Sequence, residues 1–80
     1  MEVTLYSRDH CQPCKATVRK FNKHGIRFTE KNTSRDEAAA QFLRDAGYTQ
    51  APVVILGDGT EWTDFRPDLI EALAKSLGLS

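Results

Sequence analysis

Residues 3–21 read VTLYSRDHCQPCKATVRKF and contain the clearest evidence for the fold. Its first part, Val3–Tyr6, alternates and is rich in strand-forming residues, so it predicts a β-strand. After a polar loop, Cys14, Val18 and Phe21 follow one another at spacings of four and three residues, which is typical of one face of an α-helix. A strand, a Cys-x-x-Cys motif and a helix in this order indicate an α/β protein whose cysteines lie where the first strand ends and the first helix begins.

Three further segments have the pattern of strands. Ile26–Thr29 alternates like the first strand. Val53–Leu56 is an apolar, mostly β-branched run, as in a strand that is buried on both faces. Gly57–Gly59 is a turn signal, so Thr60–Trp62 is predicted to return beside it as an antiparallel edge strand.

The helices have predicted ends as well as predicted faces. Gly25 ends the first helix, and Gly47 and Gly78 end the other two. Ser34 and Glu37 fit the Ser-x-x-Glu capping box at the start of the second helix. The predicted buried stripe of that helix comprises Ala39, Phe42, Leu43 and Ala46. The last helix has Pro67 in its first turn, and its predicted apolar face comprises Leu69, Ile70, Leu73, Ala74 and Leu77.

The element order β-α-β-α-β-β-α predicts one domain over residues 1–80 with a thioredoxin-like fold. In this fold a four-stranded mixed sheet is flanked by three helices on its two faces, and the first strand–helix–strand unit is a right-handed parallel crossover. The length of 80 residues leaves no room for a second domain.

Composition excludes several classes of function. The 11 basic and 11 acidic side chains cancel, which argues against nucleic acid as a partner. The longest apolar run, Ala51–Leu56, is far shorter than the roughly 18 residues of a membrane span. The N-terminus lacks the pattern of a secretory signal. We therefore expect a cytoplasmic protein that is monomeric and has no membrane contact.

The two cysteines predict thiol–disulfide chemistry. A helix N-terminus stabilises a thiolate, so Cys11 is expected to be the more exposed thiol with the lower pKa, and to attack. Cys14, one turn into the helix, is expected to resolve the mixed disulfide. A purely structural disulfide explains the pair poorly, because so short a loop contributes only about 2 kcal/mol. Two ordinary core cysteines, or zinc shared between chains through His10, remain as alternatives; we predict no metal.

Several other side chains have two interpretations each. Pro52 either begins a strand or forms a cis peptide with Ala51 that turns the Ala51 backbone toward a substrate. Arg8 is either a solvated loop charge or a docking contact. Trp62 and Phe65 either pack in the core or form an apolar docking patch. Arg66 and Asp68 either hold their loop by hydrogen bonds or lie on a solvated helix turn.

Four segments together resemble the NrdH redoxins, which are glutaredoxin-like proteins that behave like thioredoxins. The segments are Val3–Ser7, Cys11–Thr17, Gly47–Val54 and Trp62–Asp68. The resemblance implies that electrons come from NADPH through thioredoxin reductase and pass to the large subunit of a class Ib ribonucleotide reductase, with no bound cofactor. It also implies that Cys11 and Cys14 are the redox pair, that Pro52 is a cis-proline in the substrate groove, and that Arg66 and Asp68 hold their loop by hydrogen bonds. Arg66 is in addition a candidate for partner docking.

Two alternatives to this electron carrier are a glutathione-dependent glutaredoxin and a non-catalytic thioredoxin-fold binding module. Of the three glutathione-binding elements typical of glutaredoxins, only the basic residue before the first cysteine is present, as Arg8. Gln50–Pro52 and Thr63–Arg66 replace the other two. The chain also departs from the NrdH pattern at Asp64, where the family has glycine, although aspartate tolerates unusual backbone angles.

Overall fold

A computed structural model, which describes residues 1–79, has four strands and three helices in the predicted order. The strands are β1 (Val3–Ser7), β2 (Thr29–Asn32), β3 (Val53–Leu56) and β4 (Glu61–Thr63). The helices are α1 (Gln12–Lys23), α2 (Glu37–Asp45) and α3 (Pro67–Ser76). Across residues 1–79, none of the helices combines the length and the apolarity needed to cross a bilayer.

The strands form one mixed sheet in the order β2-β1-β3-β4. Strand β1 pairs in parallel with β2 through the α1 crossover, and antiparallel with β3. The hairpin between β3 and β4 makes that pair antiparallel. The thioredoxin-like fold and both predicted strand directions are therefore confirmed. The apolar run Val53–Leu56 lies inside the sheet, as its composition indicates.

Side-chain alternation along the central strands creates a core on each face of the sheet, because successive residues of a strand point to opposite faces. Leu5 and Val54 belong to the larger core, which also contains Phe21 of α1 and Ile70 of α3. The second core comprises Tyr6, Ala39, Leu43 and Val53, and packs α2 against the other face. The two helix layers hold β1 in the middle of the molecule, and so position the loop that follows it.

Glycine ends α1 as predicted. Gly25 has φ +70°, a left-handed conformation that costs glycine little. The N–H of Ile26 then donates a 3.0 Å hydrogen bond to the carbonyl of Phe21, which closes the last turn as a Schellman motif. Gly47 and Gly78 follow α2 and α3 with the same hydrogen-bond pattern. All three predicted helix ends are therefore confirmed.

The predicted position of the second strand is wrong by three residues. The structure places β2 at Thr29–Asn32, where Thr29 pairs with Thr4 of β1. Ile26 and Phe28, whose alternation predicted the strand, instead pack against the larger core as part of the connection from α1. The strand itself is polar and mostly exposed, because it lies at the edge of the sheet.

The predicted capping box of α2 is also wrong. Asp36 is the N-cap residue, and its carboxylate accepts a 3.1 Å hydrogen bond from the N–H of Ala39. The hydroxyl of Ser34 accepts instead from the N–H of Asp9, at 3.0 Å. Ser34 therefore connects two loops rather than starting the helix.

Half of the predicted buried stripe of α2 is exposed. Ala39 and Leu43 are buried as predicted, but Phe42 is 47% exposed and Ala46 is exposed. The ring of Phe42 stacks on Tyr6 with centroids 5.4 Å apart. A helix of nine residues against one side of a sheet buries a narrower stripe than the periodicity of its apolar residues suggests.

Candidate redox site

The two cysteines lie at the N-terminus of α1. Cys11 and Cys14 form a disulfide, with their Cα atoms 5.2 Å apart. Cys11 is the N-cap residue of α1, and its sulfur accepts a hydrogen bond from the N–H of Cys14. The helix therefore begins at the disulfide, and its unpaired N–H groups and positive dipole end point at the sulfur of Cys11.

In the disulfide form the two cysteines differ little in exposure, so the expected difference between the free thiols stays a prediction. Cys11 is 5% exposed and Cys14 is 3% exposed, so both are buried. What distinguishes them is position, because Cys11 caps the helix while Cys14 lies inside its first turn. His10, just before Cys11, has φ +57°, a left-handed conformation that histidine adopts more readily than most residues.

Two polar contacts brace the first turn of α1. The hydroxyl of Thr17, which is fully buried, donates to the carbonyl of Pro13 at 2.8 Å. The N–H of Lys15 donates to the carbonyl of Cys11 at 3.1 Å. Thr17 is not among the site residues predicted from the sequence. Its spacing of three residues from Cys14, which puts a hydroxyl on the buried face of the helix, is the signal that could have identified it.

The peptide bond between Ala51 and Pro52 is cis. Pro52 is fully buried, and its carbonyl accepts a 2.9 Å hydrogen bond from the N–H of Asp64. Ala51 is half-buried and lines a groove of about 310 Å³ together with Arg8, Tyr48 and others. Two of the predicted site residues, Ala51 and Arg8, therefore meet in one groove.

Tyr48 closes one side of this groove. Its hydroxyl donates a hydrogen bond to the carboxylate of Glu61 on β4. This hydrogen bond raises the pKa of Tyr48 to about 12. The hydrogen bond connects the loop before Ala51 to the edge of the sheet.

Trp62 lies in the core, which is the packing alternative rather than the docking one. It is 7% exposed and belongs to the larger core with Val54 and Ile70. Its indole N–H has no hydrogen-bond partner among residues 1–79. Phe65 is half-buried and packs against the same core. The burial of Trp62 favours the packing alternative over a contribution to partner docking.

The loop before α3 is held by its own side chains. Asp64 has φ +72°, a left-handed conformation in which aspartate is found more often than most residues. Its carboxylate accepts from the N–H of Phe65 at 2.8 Å. The guanidinium of Arg66 donates to both carboxylate oxygens of Asp68, at 3.2 and 3.0 Å. These hydrogen bonds lower the pKa of Asp68.

Asp9 anchors the loop that carries Cys11. Its carboxylate accepts from Asn32 at 3.0 Å and from Arg35 at 3.2 Å. The pKa of Asp9 is lowered, mainly by the hydrogen bond from Asn32 and next by the one from Arg35.

Within residues 1–79, no three side chains of His, Cys, Asp or Glu lie together in a way that could hold a metal ion.

A thioredoxin-like fold with a disulfide at the N-terminus of its first helix defines a thiol–disulfide redox protein. The family model for glutaredoxin matches residues 3–60 of the chain. Both results agree with the prediction from the strand, the motif and the helix.

Individual relatives narrow the family further. The chain is 44% identical over 73 residues to the glutaredoxin-like protein NrdH of Escherichia coli strain K12, an alignment that covers 91% of this chain and 89% of that protein. It is 32% identical over 72 residues to the glutaredoxin-like protein NrdH of Lactococcus lactis subsp. cremoris, covering 90% and 99%. The chain belongs to the NrdH-redoxins, the glutaredoxin-like family that its motifs resemble.

The solved structures agree with this assignment. The NrdH-redoxin from Escherichia coli, which is described as having a thioredoxin-like activity profile, matches with a TM-score of 0.84 at 44% identity. The match covers 91% of this chain and 95% of that chain. A buckwheat glutaredoxin bound to glutathione matches with a TM-score of 0.71 at 16% identity, a likeness of fold alone.

Proposed function

We propose that this protein carries electrons from NADPH, through thioredoxin reductase, to the large subunit of a class Ib ribonucleotide reductase. The observation that carries the proposal is the position of Cys11 as the N-cap residue of α1, one turn before its disulfide partner Cys14. Membership of the NrdH-redoxin family supports the choice of partners.

The chemistry is a pair of thiol–disulfide exchanges. In the reduced protein the Cys11 thiolate attacks one sulfur of the substrate disulfide, and the other substrate sulfur leaves as a thiolate that takes up a proton. Cys14, having lost its proton, then attacks the sulfur of Cys11 in the mixed disulfide. The second substrate sulfur leaves and is protonated. Two electrons and two protons have moved to the substrate, and the Cys11–Cys14 disulfide has formed.

The groove beside Ala51 offers glutathione only one basic side chain without an ion pair to another of residues 1–79, which supports a protein donor. Glutathione is a small anionic tripeptide and requires fixed polar contacts beside the thiol. Arg8 lines the groove that contains Ala51, but the other basic residue there, Arg44, is engaged in an ion pair with Glu37 at 2.6 Å. The thioredoxin-like activity profile attributed to the Escherichia coli relative points the same way.

An assay with two electron donors tests the proposal. The protein is given an insulin disulfide with NADPH and thioredoxin reductase, or with glutathione, NADPH and glutathione reductase. We expect turnover with the first system and little with the second. A thioredoxin-like potential of ~−270 mV lies below the potentials of glutaredoxins, which are about −200 to −230 mV, so reduction by glutathione would be unfavourable. Faster turnover with glutathione would contradict the proposal. A Cys11→Ser variant provides the blank, and the same pair of donors applied to a class Ib reductase tests the acceptor.

A further inference from the structure

The charges of this chain are unevenly distributed although their sum is zero. Residues 8–31 contain seven Lys or Arg and only two Asp or Glu, whereas residues 57–72 contain five acidic residues and one basic residue. Helix α1, which starts at the redox site, contains basic residues and no acidic residue. The neighbourhood of the disulfide on the α1 side is therefore positive.

A groove lies beside the disulfide on this positive side. It has a volume of about 520 Å³ and runs between the β1–α1 loop, one face of α1 and the ends of β1 and β2. Cys14 forms part of its wall. The charged side chains that line the groove are Arg8, Asp9, Lys15, Arg19, Glu30 and Arg35.

The acidic side chains of the groove offset its basic ones only in part, because four basic side chains line it against two acidic ones. The carboxylate of Glu30 accepts a 2.7 Å hydrogen bond from the buried hydroxyl of Ser7, and Asp9 is paired with Arg35 at 3.2 Å. By contrast, Lys15 and Arg19 form no ion pair with any residue of the described range 1–79, and the same holds for Arg8. The next basic residue of the helix, Lys20, is paired with Glu71 of α3 at 2.8 Å.

We propose that this groove binds an acidic segment of the protein substrate, next to the disulfide that is reduced. The proposal rests on the proposed function, because it names what the electron acceptor presents to the site. Lys15 and Arg19 lie four residues apart on one helix face, so their Cβ atoms are about 6 Å apart. Two residues of an extended peptide span about 6.6 Å. The groove therefore fits carboxylates at alternate positions of an extended strand.

Peptide substrates with matched charge test this inference. Two peptides share one Cys-x-x-Cys disulfide, followed by Glu-x-Glu in one and Gln-x-Gln in the other, and the reduced protein is mixed with each. At about 10 mM salt, where the Debye length is ~30 Å, the acidic peptide should be reduced roughly three- to tenfold faster. At about 1 M salt the two rates should converge, because the Debye length falls to ~3 Å.

Two double variants separate the groove from net charge. Lys15→Gln with Arg19→Gln should abolish the preference for the acidic peptide. Lys23→Gln with Lys75→Gln removes the same charge from residues that do not line the groove, and should retain the preference. Lys15→Glu with Arg19→Glu should favour a Lys-x-Lys peptide instead. Measurable but equal rates for the two peptides in the unmodified protein at low salt, or a preference that survives Lys15→Gln with Arg19→Gln, would overturn the inference.

A binding measurement keeps this inference separate from the redox proposal. The oxidised protein is titrated with an acidic peptide whose cysteines are replaced by serine, and amide NMR shifts are followed. Shifts concentrated at Lys15 and Arg19 would support binding of an acidic segment in the groove. If neither disulfide peptide were reduced while these shifts appeared, only the electron-carrier function would be refuted. Absence of these shifts would refute the groove, whatever the turnover.

Discussion

The backbone N–H of Cys14 lies 3.2 Å from the sulfur of Cys11 and donates a hydrogen bond to it. The donor belongs to the first turn of α1, so the helix rather than a flexible side chain holds it in position. A thiolate at Cys11 would be stabilised by this hydrogen bond and by the helix dipole. A thiolate at Cys14 would be stabilised less, because Cys14 lies inside the first turn and is not the N-cap residue.

The roles of the two cysteines can be tested by trapping. A Cys14→Ser variant should form a stable mixed disulfide with a substrate through Cys11, because nothing remains to resolve it. Peptide mapping by mass spectrometry identifies the linked residue. The Cys11→Ser protein serves as the comparison, and efficient trapping through its Cys14 would show that the roles are reversed.

Trp62 is expected to act on stability rather than on docking. Trp62→Phe removes part of a buried ring system and should lower the free energy of unfolding by about 1–3 kcal/mol. Urea unfolding followed by circular dichroism measures this, since Trp62 is the only tryptophan and its fluorescence is lost with the substitution. The KM of thioredoxin reductase for this protein as its substrate should not change. A raised KM at unchanged stability would show that Trp62 contributes to partner docking.

The capping residue of α2 gives a third prediction. Asp36→Ala should destabilise the protein by about 1 kcal/mol, because the N–H of Ala39 loses its acceptor and a carboxylate leaves the helix N-terminus. Asp45→Ala removes an equal charge at the opposite end of the same helix, where a carboxylate opposes the dipole, and should change stability by less than about 0.5 kcal/mol. Equal losses in the two variants would mean that Asp36 does not cap the helix.

Acid should remove the contribution of Asp9. Its pKa is lowered in the folded protein by the hydrogen bonds from Asn32 and Arg35. The stabilisation is therefore complete above the unfolded pKa of about 4, and it is lost as the pH falls through the lowered folded value. We expect Asp9→Asn to have a lower urea midpoint than the unmodified protein at pH 7, and this difference to shrink progressively as the pH falls below about 4. A difference that persists undiminished at pH 2 would exclude this linkage.

The sequence predicts the fold well where burial and backbone pairing coincide. Strands β1 and β3 are buried, so their apolar patterns mark the residues that also form the ladder. In β2, burial and backbone pairing belong to different residues. Ile26 and Phe28 are apolar and pack outside the strand, whereas the paired residues Thr29–Asn32 are polar. Hydrophobic alternation reports which side chains leave water, and it does not report which peptide groups exchange hydrogen bonds.

The redox pair followed from the sequence because its signal is local. A strand, two cysteines and a helix start lie within one short stretch, and the end of the strand fixes where the helix begins. The burial of both cysteines and the assignment of Asp36 as the cap depend on contacts between distant segments. Ser34 is an equally good capping residue by sequence, yet its hydroxyl is used by Asp9, which lies 25 residues earlier.

The polar character of β2 also matters for how copies of this protein meet one another. A strand at the edge of a sheet has an open row of peptide groups onto which a strand of another molecule can add. Here that row is only four residues long and carries a glutamate and a lysine, Glu30 and Lys31, next to each other. Addition of a strand from another molecule would require these charges to lose their hydration. The free edge of β2, opposite the edge that pairs with β1, therefore disfavours fibrillar self-association.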